Sequence, residues 1–342
     1  MAYTTINKPN TQMNTVLYTG NGGTQSITGV GFQPDWTWLK ARSESASHEL
    51  FDVVRGVTKT INSNTNNAEA TQTDSLTAFG SDGFTLGSNG DINYNNSTYV
   101  GWNWKAGGTA SSNTDGSITS SVSANTTSGF SVVTFTGTGS NATIGHGLGV
   151  KPDAVFFKRL DTTGGWASYH SVLGATKYMR LDTNSGEQTA SDEFQNTEPT
   201  SSVISIGTDG AVNGTSMVAY CFADVKGFSK FNSYVGNGST DGPFIFTGFK
   251  PAFVLIKKSN TSGTDWQLTD NKRDLHNVCT HRLLPNDSIA EQTDSLDLDI
   301  LSNGFKIRKS STTSNASGAT YIYLAFAENP LVGTNNVPAT AR

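Results

Sequence analysis

Short runs of alternating apolar and polar residues, separated by turn residues, follow one another along the chain. Alternate residues of a strand share a face, so such runs predict strands with one buried face. No long segment has helical periodicity, although residues 49–60 fit a helix or a strand. The pattern predicts an all-β protein. Hairpin turns are predicted where Asn or Asp precedes Gly, at Asp82-Gly83, Asn89-Gly90, Asp209-Gly210, Asn213-Gly214 and Asn303-Gly304.

One ten-residue motif occurs three times along the chain. It is written GFQPDWTWLK at Gly31–Lys40, GVKPDAVFFK at Gly149–Lys158 and GFKPAFVLIK at Gly248–Lys257. When Pro34, Pro152 and Pro251 are placed in register, an aromatic strand followed by a Gly turn also aligns before each motif. A closing strand aligns after each motif, with the sequences YVGWNWKA, MVAYCFAD and YIYLAFAE. A repeat of this length indicates three related units.

Each unit has the length of a small domain, and six or seven short strands in about 100 residues are typical of a two-sheet sandwich. The sequence therefore predicts three tandem antiparallel β-sandwich units of the jelly-roll or concanavalin-like kind. We call them unit 1, unit 2 and unit 3. The predicted boundaries are an N-terminal arm at 1–13, unit 1 at 14–108, a linker at 109–128 whose central residues could pair as an edge strand, unit 2 at 129–227, unit 3 at 228–330 and a C-terminal tail at 331–342.

Composition narrows the range of partners. The chain has 342 residues, of which 35% are hydrophobic and 15% charged, and its formal net charge is -5. Nucleic-acid binding needs clustered Lys and Arg, so no nucleic-acid partner is predicted. The apolar runs are far shorter than the roughly 20 residues of a spanning helix, so no membrane insertion is predicted. Cys221 and Cys279 alone make no disulfide framework and fit a reduced, intracellular state.

The six tryptophans divide into two groups. Trp38, Trp102 and Trp104 align with Phe, Tyr or Leu in the other units, which predicts core positions. Trp36 aligns with Ala and Phe and is the least constrained of this group. Trp166 and Trp266 each follow a Gly-rich turn, which favours exposure at a loop. The candidate residues for carbohydrate or partner contact are therefore Trp166, Trp266 and Trp36.

No catalytic, metal or cofactor site is predicted, because the sequence indicates no acid, base and nucleophile that would converge in one site. The five histidines fall at non-equivalent places in the units. Asp297 and Asp299 share a strand face and could bind calcium, but carboxylates alternating with Leu and Ile more often mark a half-exposed strand. Glycosidase carboxylates pair in space rather than in sequence, so a glycosidase pair remains an alternative. Lys40, Lys158 and Lys257 end the same strand in each unit and are expected to be solvated.

Units 2 and 3 resemble a family of phage proteins, common in marine and cyanobacterial phages. The matching segments are DGSITSSVSANTTSGFSVVTFTGTGSNATIGHGLGVKPD (Asp115–Asp153), LGATKYMRLDT (Leu173–Thr183), PTSSVISIG (Pro199–Gly207) and VAYCFADVKGFSKFNSYVGNGSTDGPFIFTGFKPAFVLIKK (Val218–Lys258). Unit 1 is similar to a companion phage repeat through LYTGNGGTQSITGVGFQPDWTWLK, SDGFTLGS and YVGWNWKAGG. The resemblance implies a virion or tail-associated protein built from concanavalin-like β-sandwich modules, and it carries over no catalytic residue.

These observations lead to the hypothesis of a non-enzymatic phage virion structural protein, a tail fibre or tail-associated appendage that takes part in host attachment. It would be assembled in the host cytoplasm and reside in the virion, with other virion proteins as partners and trimerisation as one assembly. The N-terminal arm, with Tyr3, Ile6 and Met13, is the candidate particle-docking segment. The alternatives are a capsid decoration or head-fibre protein, a lectin-like module that binds host surface glycans, and a glycan-degrading enzyme.

Overall fold

The computed structural model describes residues 3–293, 296–333 and 338–340. Nearly all of its regular structure is strand, and the strands pair antiparallel in their sheets. The prediction of an all-β protein is therefore confirmed. The helices in the described part are short: a 3-10 helix at Pro9–Thr11, α1 at Gly90–Asn93, α2 at Ser191–Phe194 and α3 at Gly210–Asn213.

The strands are short and follow one another closely along the chain. Those of the first third are β1 Met13–Thr19, β2 Gln25–Thr28, β3 Trp36–Ala41, β4 Glu49–Asp52, β5 Lys59–Thr60, β6 Ala70–Thr71, β7 Leu76–Gly80, β8 Gly83–Leu86 and β9 Thr98–Trp104. Those of the middle third are β10 Ser111–Asn113, β11 Ser120–Asn125, β12 Phe130–Phe135, β13 Ala142–Gly145, β14 Ala154–Arg159, β15 Ala167–His170, β16 Lys177–Tyr178, β17 Gln188–Thr189, β18 Val203–Ile206 and β19 Met217–Phe222. Those of the last third are β20 Ser229–Val235, β21 Phe244–Phe246, β22 Phe249–Lys258, β23 Gln267–Asp270, β24 Leu298–Leu301, β25 Gly304–Ile307 and β26 Thr320–Pro330.

Each unit builds one main sheet with a common strand order. The orders are β1-β9-β3-β4, β12-β19-β14-β15 and β20-β26-β22-β23, and β10 and β11 extend the second sheet beyond β12. The register is also common. The cross-strand pairs two residues after the aligned prolines are Trp36 with Trp104, Ala154 with Phe222 and Phe253 with Phe326. The three-unit repeat stays a prediction, but the three ranges share this strand order and register.

The central strands of the main sheets are apolar on both faces because both faces are covered. Strand β19, MVAYCF, is buried at every position. One face packs on the small sheets β2-β8-β7, β13-β18 and β21-β25-β24, which gives each unit a sandwich-like pair of sheets. A short run of continuous apolar residues is the pattern expected of a strand buried in this way.

The other face of each main sheet points into one core that all three units share. Trp104, Phe222 and Phe326, one from each unit, are each 2% exposed and lie in mutual contact. Their ring centroids are 6.5 Å apart for Trp104 and Phe222, 5.6 Å for Trp104 and Phe326, and 5.8 Å for Phe222 and Phe326. The inward orientation of these aromatic residues is confirmed. The units, however, are not three separately packed bodies, because one hydrophobic cluster joins them.

The segments predicted as a linker and as an N-terminal arm both have defined structure. The predicted linker 109–128 contains strands β10 and β11, both paired into the sheet of unit 2. The described part of the predicted arm 1–13, from residue 3 onward, is packed against the protein, with Ile6 and Pro9 buried and Met13 inside β1. Backbone pairing and apolar burial therefore order both segments. Of the predicted C-terminal tail, residues 334–337 and 341–342 lie outside the described residues.

The turn predictions are confirmed in part. Asp82-Gly83 and Asn303-Gly304 close the β7–β8 and β24–β25 hairpins. Asn89 and Asp209 instead begin short helices, each accepting a backbone N–H two residues ahead at 2.9 and 2.7 Å. An Asx side chain suits a helix N-cap as well as a turn, and the residues that follow decide between them. The ambiguous segment 49–60 contains strands β4 and β5 at its two ends, with turns between them.

Candidate functional site

The three tryptophans predicted as contact residues are buried, so that prediction is wrong. Their exposures are 2% for Trp36, 0% for Trp166 and 1% for Trp266. Trp36 stacks on Tyr220 of unit 2, with ring centroids 4.6 Å apart. Trp166 and Trp266 do follow surface turns, but their rings extend inward, into the seams where two units meet.

A ring nitrogen from each unit forms a hydrogen bond to a backbone carbonyl of another unit. The bonds join His48 Nε2 to Leu284 O at 3.0 Å, Trp166 Nε1 to Asn62 O at 2.9 Å and Trp266 Nε1 to Arg180 O at 3.0 Å. Unit 1 thus contacts unit 3, unit 2 contacts unit 1 and unit 3 contacts unit 2. The three bonds form a closed cycle, which we call the ring lock.

The tautomer of His48 is set by its neighbours. The indole N–H of Trp38 donates to His48 Nδ1 at 2.8 Å, so Nδ1 carries no proton there. The proton of the neutral ring is then on Nε2, which donates to Leu284 O. Burial lowers the pKa of His48 well below its usual range, and the neutral ring acts in unit 1 as the indoles act in units 2 and 3.

Backbone hydrogen bonds follow two further cycles around the same seams. The first joins Ala46 N to Ser288 O at 3.0 Å, Gly164 N to Asn66 O at 2.8 Å and Gly263 N to Asn184 O at 2.9 Å. The second, in the opposite sense, joins Glu69 N to Leu160 O at 2.9 Å, Glu187 N to Ser259 O at 2.7 Å and Glu291 N to Arg42 O at 2.9 Å. In each unit the first donor lies twelve residues after the aligned proline, and the second acceptor lies eight residues after it.

Buried charges also join the units. Asp52 binds Arg55 at 2.5 Å and accepts a hydrogen bond from Tyr220 of unit 2 at 2.8 Å. In unit 3, Asp270 binds Arg273 at 2.6 Å and accepts one from the indole N–H of Trp102 in unit 1 at 3.0 Å. The arginine beside it holds the pKa of Asp270 below its usual range despite the burial. Unit 2 has His170 and Leu173 at the equivalent places, and its His170 Nε2 lies 3.4 Å from Tyr323 O of unit 3.

The three aligned lysines are buried, which corrects the expectation of solvated strand ends. Lys40, Lys158 and Lys257 are each 0% exposed. Their ammonium groups donate to backbone carbonyls nearby, those of Ala41 at 2.8 Å, Gly164 at 2.5 Å and Thr264. Burial lowers the pKa of each to about 8. Lys158 and Lys257 fasten the loops that follow their strands, and both loops belong to the first seam cycle, whereas Lys40 donates to the last residue of its own strand.

The residues proposed for particle docking are also engaged within the chain. Ile6 is 4% exposed and Met13 1% exposed, and both belong to the shared core. Tyr3 is half-buried and donates a hydrogen bond from its hydroxyl to Gly248 O at 2.7 Å. The prediction that Ile6 and Met13 dock on a particle is therefore wrong, since their side chains stabilise the fold.

Two buried carboxyl groups have unusual acidities. Burial raises the pKa of Glu49 to about 7, although Thr60 and Asn62 hydrogen-bond to it. Burial likewise raises the pKa of Glu193 to about 7, against the attraction of Arg180 at 3.1 Å. Within the described residues no three His, Cys, Asp or Glu side chains gather closely enough to hold a metal ion. The calcium candidates Asp297 and Asp299 instead lie 3.9 and 3.5 Å from the charged nitrogens of Lys309 and Arg308.

A polar cleft opens at the seam between units 1 and 2, beside the lock formed by Trp166. It has a volume of about 510 Å³, and we call it the seam cleft. Its polar lining includes Asn66 from unit 1 and Arg159, Arg180, Asp182 and Gln188 from unit 2. Such planar amide, guanidinium and carboxylate groups can donate to and accept from sugar hydroxyls. None of these residues was predicted from the sequence, because the cleft exists only where two units meet.

Two exposed aromatic residues were also missed. Phe244 and Phe246, on either side of buried Ile245 in β21, are 46% and 57% exposed. The alternating FIF pattern was visible in the sequence. Comparison with the equivalent strands would have singled it out, because unit 1 carries Ser26 and Thr28 at these positions.

The described part of the chain contains no helix that could span a membrane.

Comparison with known proteins identifies one family. Comparison with curated proteins found no match, and comparison with solved structures found none. A family model described as a domain of unknown function, DUF7483, matches residues 8–330, a range that extends across all three units. The chain therefore belongs to the DUF7483 family.

Proposed function

We propose that this chain is a non-enzymatic structural protein of a phage particle, a tail fibre or tail-associated appendage that takes part in attachment to the host surface. The observation that carries the proposal is the ring lock, formed by His48, Trp166 and Trp266. Its buried ring nitrogens hold three units in one closed body. A block that cannot open one unit at a time suits a particle exterior exposed to mechanical load.

The resemblance that segments such as Val218–Lys258 bear to a phage protein family is the reason for proposing a phage particle. The partners would then be other virion proteins, and a trimer is one assembly that such an appendage could form. Decoration of the capsid is the alternative position on the particle. The buried carboxyls Glu49 and Glu193 are consistent with a non-enzymatic role, because their hydrogen bonds and ion pairs hold neighbouring strands and turns.

The experiment is localisation in purified particles of the phage that encodes the chain. Peptides of this protein are expected in the mass spectrum of gradient-purified virions, and gold-labelled antibodies are expected at the tail. Label spread over the capsid would favour the decoration alternative. Particles that lack the protein would contradict a virion role, whatever the chain binds in isolation.

The seam cleft favours a second candidate function, the binding of a surface carbohydrate. In this cleft Arg159 is paired with Asp161 at 2.8 Å, and Asp182 accepts the backbone N–H of Trp166 at 3.2 Å. A glycan array tests it with wild type, Arg159→Gln and Arg308→Gln, the last an exposed arginine elsewhere in the fold. Loss of a glycan signal in Arg159→Gln alone would support the cleft. The absence of any signal for wild type at millimolar sugar would contradict it.

A further inference from the structure

Among the described residues, no segment pairs with the outer edge of β21, although its equivalent in unit 2 is covered. Strands β2, β13 and β21 occupy the same place in units 1, 2 and 3. Each carries a buried isoleucine, and the cross-strand pairs are Ile27 with Phe84, Ile144 with Ile204 and Ile245 with Phe305. Strand β21 lies at the end of its sheet, in the order β21-β25-β24.

In unit 2 a short segment of the chain itself covers this edge, through one isolated parallel bridge. Ile118 pairs with Ile144 in parallel, and the backbone N–H of Ile118 donates to the carbonyl of Thr143 at 3.0 Å. The backbone N–H of Ser117 donates to the hydroxyl of Thr143 at 2.8 Å. The side chain of Ile118 packs on the apolar core of unit 2. The edge thus accepts a short segment in parallel orientation, with one apolar side chain directed to the core.

Unit 3 receives no such strand from the described part of the chain. Strand β19 ends at Phe222 and β20 begins at Ser229, so the connection is too short to return along β21. Phe244 stands in register with Thr143, on the face directed away from the core. At this edge unit 3 exposes two phenyl rings where unit 1 has Ser26 and Thr28.

We propose that the open edge of β21 binds an extended segment of a partner polypeptide, which adds to the sheet as a parallel strand and covers Phe244 and Phe246. Main-chain hydrogen bonds would supply affinity, and side chains at alternate positions would contact the rings. The neighbouring charges cancel, since Lys306, opposite Phe244, is paired with Asp241 at 2.7 Å. The partner strand is therefore expected to be apolar at alternate positions rather than highly charged.

The parallel orientation indicates that the added strand comes from a different polypeptide and not from β21 of a second copy of this chain. Two identical strands related by a two-fold axis pair antiparallel, whereas the strand that covers unit 2 is parallel. A sugar stacked on the rings would make no use of the unpaired backbone groups of the edge. The inference does not depend on a virion role, because it rests on the sheet edge alone.

The test is selection from a displayed library of nine-residue peptides against the full chain. The comparison protein is Phe244→Ser/Phe246→Thr, which carries the residues of unit 1. Leu17→Ser, which alters an exposed apolar residue of another edge strand, is the matched control. Peptides with alternating apolar residues are expected to bind wild type and the control about tenfold or more tighter than the double variant.

Two further measurements separate strand addition from simple apolar contact. Proline at the peptide position that corresponds to Ile118 is expected to abolish binding, because proline lacks the N–H that donates to the strand edge at that position. Bound peptide is expected to slow amide exchange in residues 244–246. The proposal is overturned if no peptide is selected over the double variant, or if the proline peptide binds equally well. It is also overturned if light scattering shows a wild-type dimer that the double variant loses, or if sugars alone bind at Phe244 and Phe246.

Discussion

The indole N–H of Trp166 in unit 2 donates a hydrogen bond to the carbonyl of Asn62 in unit 1 across 2.9 Å. The equivalent bond of Trp266 joins unit 3 to unit 2, and that of His48 joins unit 1 to unit 3. Because the three bonds close a cycle, no unit can separate without breaking its contacts to both others. Stability is therefore expected to belong to the chain as a whole.

Replacing Trp166 by Phe tests one member of the ring lock. The substitution keeps an aromatic ring but leaves the carbonyl of Asn62 without its donor, which should cost about 1–3 kcal/mol of unfolding free energy. Urea denaturation of wild type and Trp166→Phe measures the difference. Tyr94→Phe is the control, since Tyr94 is 60% exposed and should change stability little. An equal effect of both substitutions would contradict the lock.

Removing the guanidinium of Arg273 should be severely destabilising. Arg273→Leu leaves the carboxylate of Asp270 buried without its counter-ion, which typically costs about 3–5 kcal/mol. Thermal unfolding followed by circular dichroism measures the loss. Arg308→Leu, which removes an arginine that is 43% exposed in its side chain, is the matched control and should have little effect.

The double variant Asp270→His/Arg273→Leu copies the residues of unit 2, His170 and Leu173, into unit 3. Without a buried carboxylate, it is expected to recover part of the stability that Arg273→Leu loses. A double variant less stable than Arg273→Leu would show that the two sites are not equivalent.

The stability contributed by Glu49 should depend on pH. Its folded pKa of about 7 lies above the usual value of 4.5, so the carboxyl group is protonated in the folded state over a range in which it is ionised in the unfolded state. The contribution is complete below about pH 4.5 and is lost as pH rises through about 7. Glu49→Gln keeps a neutral side chain at every pH. Its stability relative to wild type is expected to rise between pH 5 and 8, by on the order of 2–3 kcal/mol. A difference that stays constant, measured by urea denaturation at each pH, would contradict the assignment.

The sequence could predict much of the fold at the level of strands. The repeated motifs place Pro34, Pro152 and Pro251 at equivalent positions. The alternation of aromatic residues correctly predicts that Trp104, Phe222 and Phe326 point inward. Periodicity reports only which residues of a strand share a face. It carries no information on whether that face is covered by the same unit or by another, so a core shared by all three units could not be derived.

The same limit explains the errors at the candidate site. A Gly-rich turn before Trp166 predicts that the backbone reaches the surface, but the direction of the ring depends on a neighbouring unit about 100 residues away. One signal was available: counted from the aligned proline, His48 and Trp166 occupy the same position and Trp266 lies one residue further along. Recurrence of a ring nitrogen at one place in three units indicates a structural role rather than a contact surface.

Differential scanning calorimetry of wild type and Phe222→Ala tests the shared core most directly. Phe222 contacts both Trp104 and Phe326, so its truncation should weaken all three units together, by about 3–5 kcal/mol. We expect a single transition for both proteins, with equal calorimetric and van't Hoff enthalpies and a lower Tm for the variant. Separate transitions, of which Phe222→Ala shifts only one, would contradict a core held in common.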